Sequence, residues 1–502
     1  MRYEKSDELI VAIMIEPMIH RTCIEGCRGR LCEGKTQSSE GVLALDRIRG
    51  FNTITLIGLK KKKKKKCQKG SSRNKVGKDS IWIVCEDNGI TVEDRRSMEP
   101  VMKKWNQRYH DKFKKHSLID KVWNEKNLEQ AWKRVKINKG SAGIDNITIQ
   151  EFQQNLPQNL AEIQRLLKEN RYTPKPVKRV LIPKDNGKMR QLGIPTVRDR
   201  VVQQALKNIL EPIFEEIFLA QSHGYRPNTD AHAAIRKAEA FLETGYHWEV
   251  DTDIEGFFDH VDHEILLDLV NEKVSDGRVL LLIRSFLTSG IMNEGIFEES
   301  TEGTPQGGNL SPLLSNIYLN HFDRRMGELG NLHLRYADDI LIFCKYEWEA
   351  HDALKRAKEV LEGELKLKLS PEKTKIVKGR RKGIEFLGFH FNGRWRRPGN
   401  KAKKRFKAEI KQRTRRQQPK SLKEVIQSIN PVIRGWGNYF KGGTVKKLFE
   451  ELDGYIRGRL RSFRVKRRTW KVLLYTIPKS LFEKLGLFSL ASLLKKPSPA
   501  MG

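Results

Sequence analysis

Asp338 and Asp339 stand side by side in Tyr336-Ala-Asp-Asp339, with Leu332, Leu334 and Tyr336 before them and Ile340 to Phe343 after them. The pattern reads as strand, tight turn, strand, with two carboxylates at the bend. Adjacent acids amid apolar strands cost desolvation and mutual repulsion, so a fold that keeps them supplies a compensating cation. Aspartate also suits turns that have no function, and the pair alone leaves both readings open. A second acidic strand tilts the balance. In Trp248-Glu-Val-Asp-Thr-Asp-Ile-Glu-Gly-Phe-Phe-Asp259, Asp253 ends a short strand ahead of a bend at Gly256. Carboxylates from separate strands, converging on ions roughly 3.5–4 Å apart, are what two-metal phosphoryl transfer requires. One ion lowers the pKa of an attacking hydroxyl, and the other holds a triphosphate and its leaving pyrophosphate. Hard oxygen ligands that also tolerate substrate phosphates favour magnesium first and manganese second.

The elements around these acids follow from periodicity. Leu118, Val122, Leu128, Trp132 and Val135 recur at helical spacing, a turn follows at Lys139-Gly-Ser-Ala-Gly143, and a further helix signal covers Phe152 to Leu167. Val177 to Ile182 alternates like a strand and Asp185-Asn-Gly187 is a hairpin turn, after which helix resumes from Asp199 to Phe218. Beyond residue 400 the strands stop. Between Lys401 and Lys471 there are 23 Lys and Arg against 5 Asp and Glu, a net +18. Leu422, Val425, Ile426, Ile429, Ile433 and Trp436 make one apolar helix face nicked by Pro431. Arg457, Arg461, Arg464 and Arg468, spaced by four, three and four, share one side of a later helix. Such a stripe could be a solvated face; a single sign of charge over three turns favours a surface that meets phosphates.

The whole chain carries the same signature. Its 502 residues hold 96 Lys and Arg against 62 Asp and Glu, a formal charge of +34 that points to a polyanionic partner, nucleic acid before membrane. The apolar run Leu9 to Ile15 is too short to span a bilayer and follows acidic rather than basic residues. Of 6 cysteines only Cys344 lies beyond residue 85, and Cys23, Cys27 and Cys32 are spaced too loosely for a zinc site, so a reducing cytoplasmic compartment is expected. Residues 1–97, with seven consecutive lysines from Lys60 to Lys66, read as a disordered or spurious extension, and ordinary protein texture starts at Met98.

Taken in order, several blocks between residues 100 and 470 resemble the reverse transcriptases encoded by group II introns. Pro183-Lys184 through Arg190-Gln-Leu-Gly-Ile-Pro195 and Ser222-His-Gly-Tyr-Arg-Pro227 look like the two fingers blocks. The Asp253 strand, Gly303-Thr-Pro-Gln-Gly-Gly-Asn-Leu-Ser-Pro312 and the Asp338–Asp339 turn look like the palm blocks, and Leu369-Ser-Pro-Glu-Lys-Thr-Lys375 and Phe386-Leu-Gly-Phe389 like the last two. Ile429-Asn-Pro-Val-Ile-Arg-Gly-Trp-Gly-Asn-Tyr-Phe440 is similar to the maturase thumb signature. The resemblance implies an α+β right-hand polymerase with an antiparallel palm sheet: fingers and palm over 98–400, a helical thumb and maturase domain over 401–471, and a short tail over 472–502. It makes Asp253, Asp338 and Asp339 catalytic and metal-holding, with two Mg2+ ions or Mn2+ in their place. Lys184 and Arg190 would grip the triphosphate and Phe258 would exclude a 2′-hydroxyl, where the bare reading of Phe258 is a core aromatic. Gln306, Gly307 and Gly308 would admit template and nucleotide, where the bare reading is a plain loop, and Lys373 would steady pyrophosphate. Arg434 would join Arg457, Arg461, Arg464 and Arg468 in binding RNA. The implied partners are the parent group II intron RNA, an RNA template with a DNA primer, and deoxynucleoside triphosphates. The implied compartment is the bacterial cytoplasm or nucleoid, or an organelle. With no cysteine after Cys344, the Cys/His nuclease domain of many relatives is not expected. A reverse transcriptase of a defence-associated or diversity-generating lineage, and a splicing-only RNA-binding maturase, are the alternatives.

Overall fold

The computed structural model describes residues 114–183, 187, 189–293, 295–379, 383–392, 395–466 and 477–494, together with short paired strands between residues 43 and 91. The chain divides into two compact units, Met1–Tyr109 and His110–Gly502. In the first unit Leu43–Ala44 pairs with Thr55–Leu56 and Val84–Glu86 with Gly89–Thr91, both antiparallel. The expected disorder of residues 1–97 otherwise lies outside the described residues, as do Lys184 and Arg468.

The second unit opens with helices Ile119–Val122 and Glu125–Asn138, the latter started by the Asn124 side chain, which accepts from the Lys126 amide. The single helix read over Phe152 to Leu167 is two, Ile149–Gln154 and Leu156–Lys168. The break falls where Asn155 caps one helix and Pro157 suits the first turn of the next. A four-stranded fingers sheet follows, in the order Ile296–Glu298, Ile291–Asn293, Val177–Pro183, Met189–Ile194. Its central hairpin reverses near Gly187, whose φ of +80° only glycine adopts freely.

The palm is a five-stranded sheet, ordered Lys375–Lys378, Trp248–Thr252, Asp339–Cys344, Leu332–Tyr336, Ser222–His223. Every pairing is antiparallel except the last. Helices cover it on both faces, so side chains alternate between two cores. Val250, Ile340, Ile342 and Cys344 join the core shared with the fingers and the N-terminal helices. Leu334, Leu341, Phe343 and Val377 join a second core with the C-terminal helices. Burial on both sides is why Ile340 to Phe343 is apolar without alternation.

A three-stranded sheet, Ile384–Phe386, Phe389–Asn392 and Trp395–Pro398, leads into helices Asn400–Arg413, Leu422–Phe440 and Lys446–Val465. Ser421 and Glu424 form a reciprocal cap on the second of these, which continues through Pro431 and buries Val425, Ile426, Ile429 and Ile433. Residues 477–494, within the expected short tail, are built into this layer. Asp453 accepts from the Ser489 hydroxyl at 2.6 Å and from the amides of Leu490 and Ala491, while Phe482 and Leu490 are fully buried. Leu490 and Leu493 press so closely on Gly437 that a Cβ there would overlap them.

Candidate active site

Tyr336 pairs with Asp339, which leaves Ala337 and Asp338 as a two-residue turn. Ala337 sits at φ 57°, the left-handed region that a Cβ disfavours, and its amide donates to the His223 carbonyl at 3.0 Å. On the neighbouring strand Ile340 pairs with Thr252, so Asp339 and Asp253, one step further along, end two adjacent strands together. The sheet register thus brings all three predicted acids together at the ends of two interior strands.

Their electrostatics reflect the crowding. Confinement in the cleft pushes the Asp339 carboxyl up to about 7, with Asp338, Asp253 and Asp251 adding repulsion and Lys373 opposing it. Asp338 is raised by burial and by Asp253, with Arg190 and Arg335 acting the other way. Lys373, assigned to pyrophosphate in the sequence reading, donates to Asp253 Oδ2 at 2.8 Å, and this bond raises its own pKa. The cluster holds more negative charge than its ammonium neutralises. Asp251, on the same strand face as Asp253, is paired with Lys375 at 3.2 Å. Among the described residues no three His, Cys, Asp or Glu side chains form a ready-made metal-ligand set. Magnesium does not demand one, since it keeps waters and is commonly bound through one or two carboxylates plus substrate phosphates.

Arg190 reaches the palm loop, donating from Nε to Gln306 Oε1 at 2.7 Å, and Gly193 donates to the Gln306 carbonyl at 2.8 Å. Three of the expected groups have close protein neighbours of their own here. Gly307, at φ +127°, and Gly308 are small for the protein's own sake. A Cβ on Gly307 would stand 2.6 Å from the Gly193 carbonyl oxygen, and one on Gly308 would stand 2.9 Å from Gln203 Oε1. Phe258 lies in a short turn of 3-10 helix after Gly256 and is 8% exposed, edge-on to Phe257 at 5.2 Å, so most of the ring belongs to the core. Arg461 is 5% exposed; its Nε donates to the Ile477 carbonyl at 3.0 Å and its guanidinium lies over Phe482. A group packed under the C-terminal segment presents no charge to RNA. Arg464 is exposed, Arg457 half-buried, and Arg434 is exposed while stacked over Phe488.

Tyr225 was not singled out in the sequence. It is half-exposed, left-handed at φ 57°, and close enough to Asp338 and Arg190 to feel both charges; burial and Asp338 raise its phenol. Its signal was membership of the Ser222–Pro227 block. Two recesses lie in the second unit: one of about 380 Å³ is lined by Asp268, Glu272, His321 and Glu364, and one of about 300 Å³ is lined by Gln306, Gly307 and Arg200.

Comparison with known proteins gives two family matches. Residues 182–391 match the family described as reverse transcriptase (RNA-dependent DNA polymerase), and residues 403–480 match the group II intron, maturase-specific domain. Protein YkfC of Escherichia coli (strain K12) is 35% identical over 272 residues, 47% of this chain and 71% of that protein. Group II intron-encoded protein LtrA of Lactococcus lactis subsp. cremoris is 38% identical over 245 residues, 48% of this chain and 40% of that protein. The uncharacterized 91 kDa protein in a cob intron of Schizosaccharomyces pombe is 38% identical over 157 residues, 31% of this chain and 19% of that protein. The chain therefore spans less than half the length of the last two.

Proposed function

Since this chain belongs to the reverse transcriptases encoded by group II introns and carries their maturase-specific domain, we propose that it copies RNA into DNA and binds its parent intron RNA to assist splicing and mobility. The observation that carries the polymerase reading is the meeting of Asp253 with Asp338 and Asp339 at the ends of adjacent antiparallel strands. The donor set suits magnesium, with manganese second: hard oxygens, excess negative charge, and room for the substrate's phosphates. Asp253 and Asp338 would hold two such ions, with Asp339 beside them. When bound, the metal supplies positive charge that acidifies the primer 3′-hydroxyl and offsets charge on the triphosphate. The chain's own residues orient the reactants. Arg190, fixed by Gln306, meets the triphosphate with Lys184. Phe258 limits space at the sugar, and Lys373, already beside Asp253, steadies the departing phosphates. The 3′-oxygen bonds to the α-phosphorus, the bond to the β-phosphate breaks, pyrophosphate leaves, and the hydroxyl proton passes to solvent.

Residues 98–400 do this chemistry and 401–471 hold RNA. The parent intron, an RNA template with its DNA primer, and deoxynucleoside triphosphates are the partners. Among the described residues no helix is long and apolar enough to cross a membrane, and the proposed compartment is the bacterial cytoplasm or an organelle. Primer extension on an RNA template tests the assignment. Asp253→Asn or Asp338→Asn should lose about three or more orders of magnitude in rate while keeping RNA affinity, because the charge is needed only for chemistry. Wild-type extension by either variant would sink it. Phe258→Ala should admit ribonucleotides; an unchanged preference for deoxynucleotides would leave Phe258 a core residue only.

A further inference from the structure

The strained turn that carries Asp338 rests on a buried cation. Arg335 is fully buried one residue before Tyr336, and all of its N–H groups are engaged. Nε donates to both oxygens of Asp323 at 2.9 and 3.0 Å, and Nη2 donates to Asp323 Oδ2 and to the Ser222 hydroxyl, each at 2.6 Å. Nη1 donates to Asn316 Oδ1 at 3.0 Å and to the carbonyl of Ala337 at 2.9 Å. Asp323 is also fully buried and takes a further bond from His333 at 3.2 Å. Burial alone would raise the Asp323 carboxyl, but Arg335 and His333 hold it below the ordinary range. Asn316 carries the network onward, donating from Nδ2 to the Gly224 carbonyl beside Tyr225.

A buried ion pair is weak evidence of stability, since apolar residues of equal volume often do as well. What an apolar pair cannot do is grip the Ala337 carbonyl. That residue needs gripping: it occupies the left-handed region without being glycine, and a turn so disfavoured relaxes unless its neighbours over-determine it. Asp323 and Asn316 lie on helix Ser311–Glu328, which starts directly after the loop holding Gln306. The network therefore ties the Asp338 turn, the Tyr225 block and the Gln306 loop to one helix.

We propose that Arg335, held by Asp323, is a positioning residue that sets the Ala337–Asp338 turn and so the placement of Asp338 against Asp253. The proposal rests on the polymerase reading above for its kinetic consequence, but not for its structural one. Lysine at 335 keeps the charge and loses the planar fork that reaches Asp323, Asn316 and Ala337 together. In full-length Arg335→Lys, extension at saturating deoxynucleotide should fall about 10- to 100-fold, the scale set by misplacing a reacting group by about an ångström. Nucleotide KM and affinity for the primed template should stay within about twofold. Hydrogen exchange at the Ala337 amide should quicken about tenfold or more, which reads the turn directly even if the wild type copies no RNA. The double variant Arg335→Met with Asp323→Leu refills the space with apolar groups, and should melt near wild type while keeping both defects. Unchanged rate and exchange in either variant would overturn the proposal. So would a parallel loss of rate, template affinity and melting temperature in both, which marks a merely structural pair.

Discussion

At the scale of single residues, burial decides what charge can do. Glu249 shares a strand face with Asp251 and Asp253, yet it is fully buried against Gly379, and this burial pushes its carboxyl up to about 8. A carboxyl whose folded pKa exceeds its unfolded value stabilises the fold most below the unfolded value. That contribution is lost as pH rises through the folded one. For Glu249 the window runs from its ordinary 4.5 to about 8. Glu249→Gln should therefore gain stability relative to wild type as pH increases across that window, as read by denaturant unfolding at about pH 5 and about pH 8.5. A stability difference that does not change with pH would show that Glu249 is solvated. Asp251, two residues on, is paired with Lys375 instead, so one strand face holds a neutralised acid, a paired acid and a candidate ligand in sequence.

At the scale of elements, the C-terminal segment matters more than its length suggests. Residues 477–494 complete the helical layer through Phe482, Leu490 and the triple acceptor Asp453. Asn430 adds two bonds, donating to the Gly486 carbonyl at 2.8 Å and accepting from the Phe488 amide at 2.9 Å. Replacing Asp453 with Ala strands two buried or part-buried amides and a hydroxyl. It should cost about 1–3 kcal/mol and open this segment to limited proteolysis before the rest unfolds. If the segment stays protected and the melting temperature holds, the apolar contacts to Gly437 and Phe482 suffice without the cap.

For the whole molecule, an exposed basic surface and the candidate catalytic acids lie on different elements among the described residues. Lys401, Lys404, Lys411 and Arg415 are exposed on and just beyond the first C-terminal helix, whereas the acids lie at the ends of two interior strands of the palm sheet. Neutralising these four should flatten the salt dependence of intron RNA binding by up to about 0.7–0.9 log units per charge removed. Splicing at low magnesium should fail with it, while extension of a short primer on an unstructured template falls less. Arg461→Ala should lower the melting temperature and leave that slope alone, because its charge is spent on Ile477 and Phe482. A salt slope unmoved by the four exposed changes would make that surface merely solvated. Asp338→Asn should show the converse, with intron binding kept and copying lost.

Much of this was legible in order and period. Asp253 was legible as the end of a short acidic strand, the bend at Asp338 and Asp339 was bounded by apolar strands, and the run from Leu422 to Trp436 marked an amphipathic helix. Local rules suffice there because strand and helix geometry fix which residues share a face. They do not say what covers that face. Arg461 fell in a basic stripe by spacing, and only the return of residues 477–494 put it inside. Gly307 and Gly308 were visible as a loop, but the atoms filling the space beside them come from Gly193 and Gln203, more than a hundred residues earlier. Arg335 offered no signal, since a lone arginine in a strand reads as solvent-facing until Asp323, Asn316 and Ser222 arrive from other elements to accept its hydrogen bonds. Burying a full charge is affordable only when partners distant in sequence converge on it, and that convergence is decided by the tertiary structure alone.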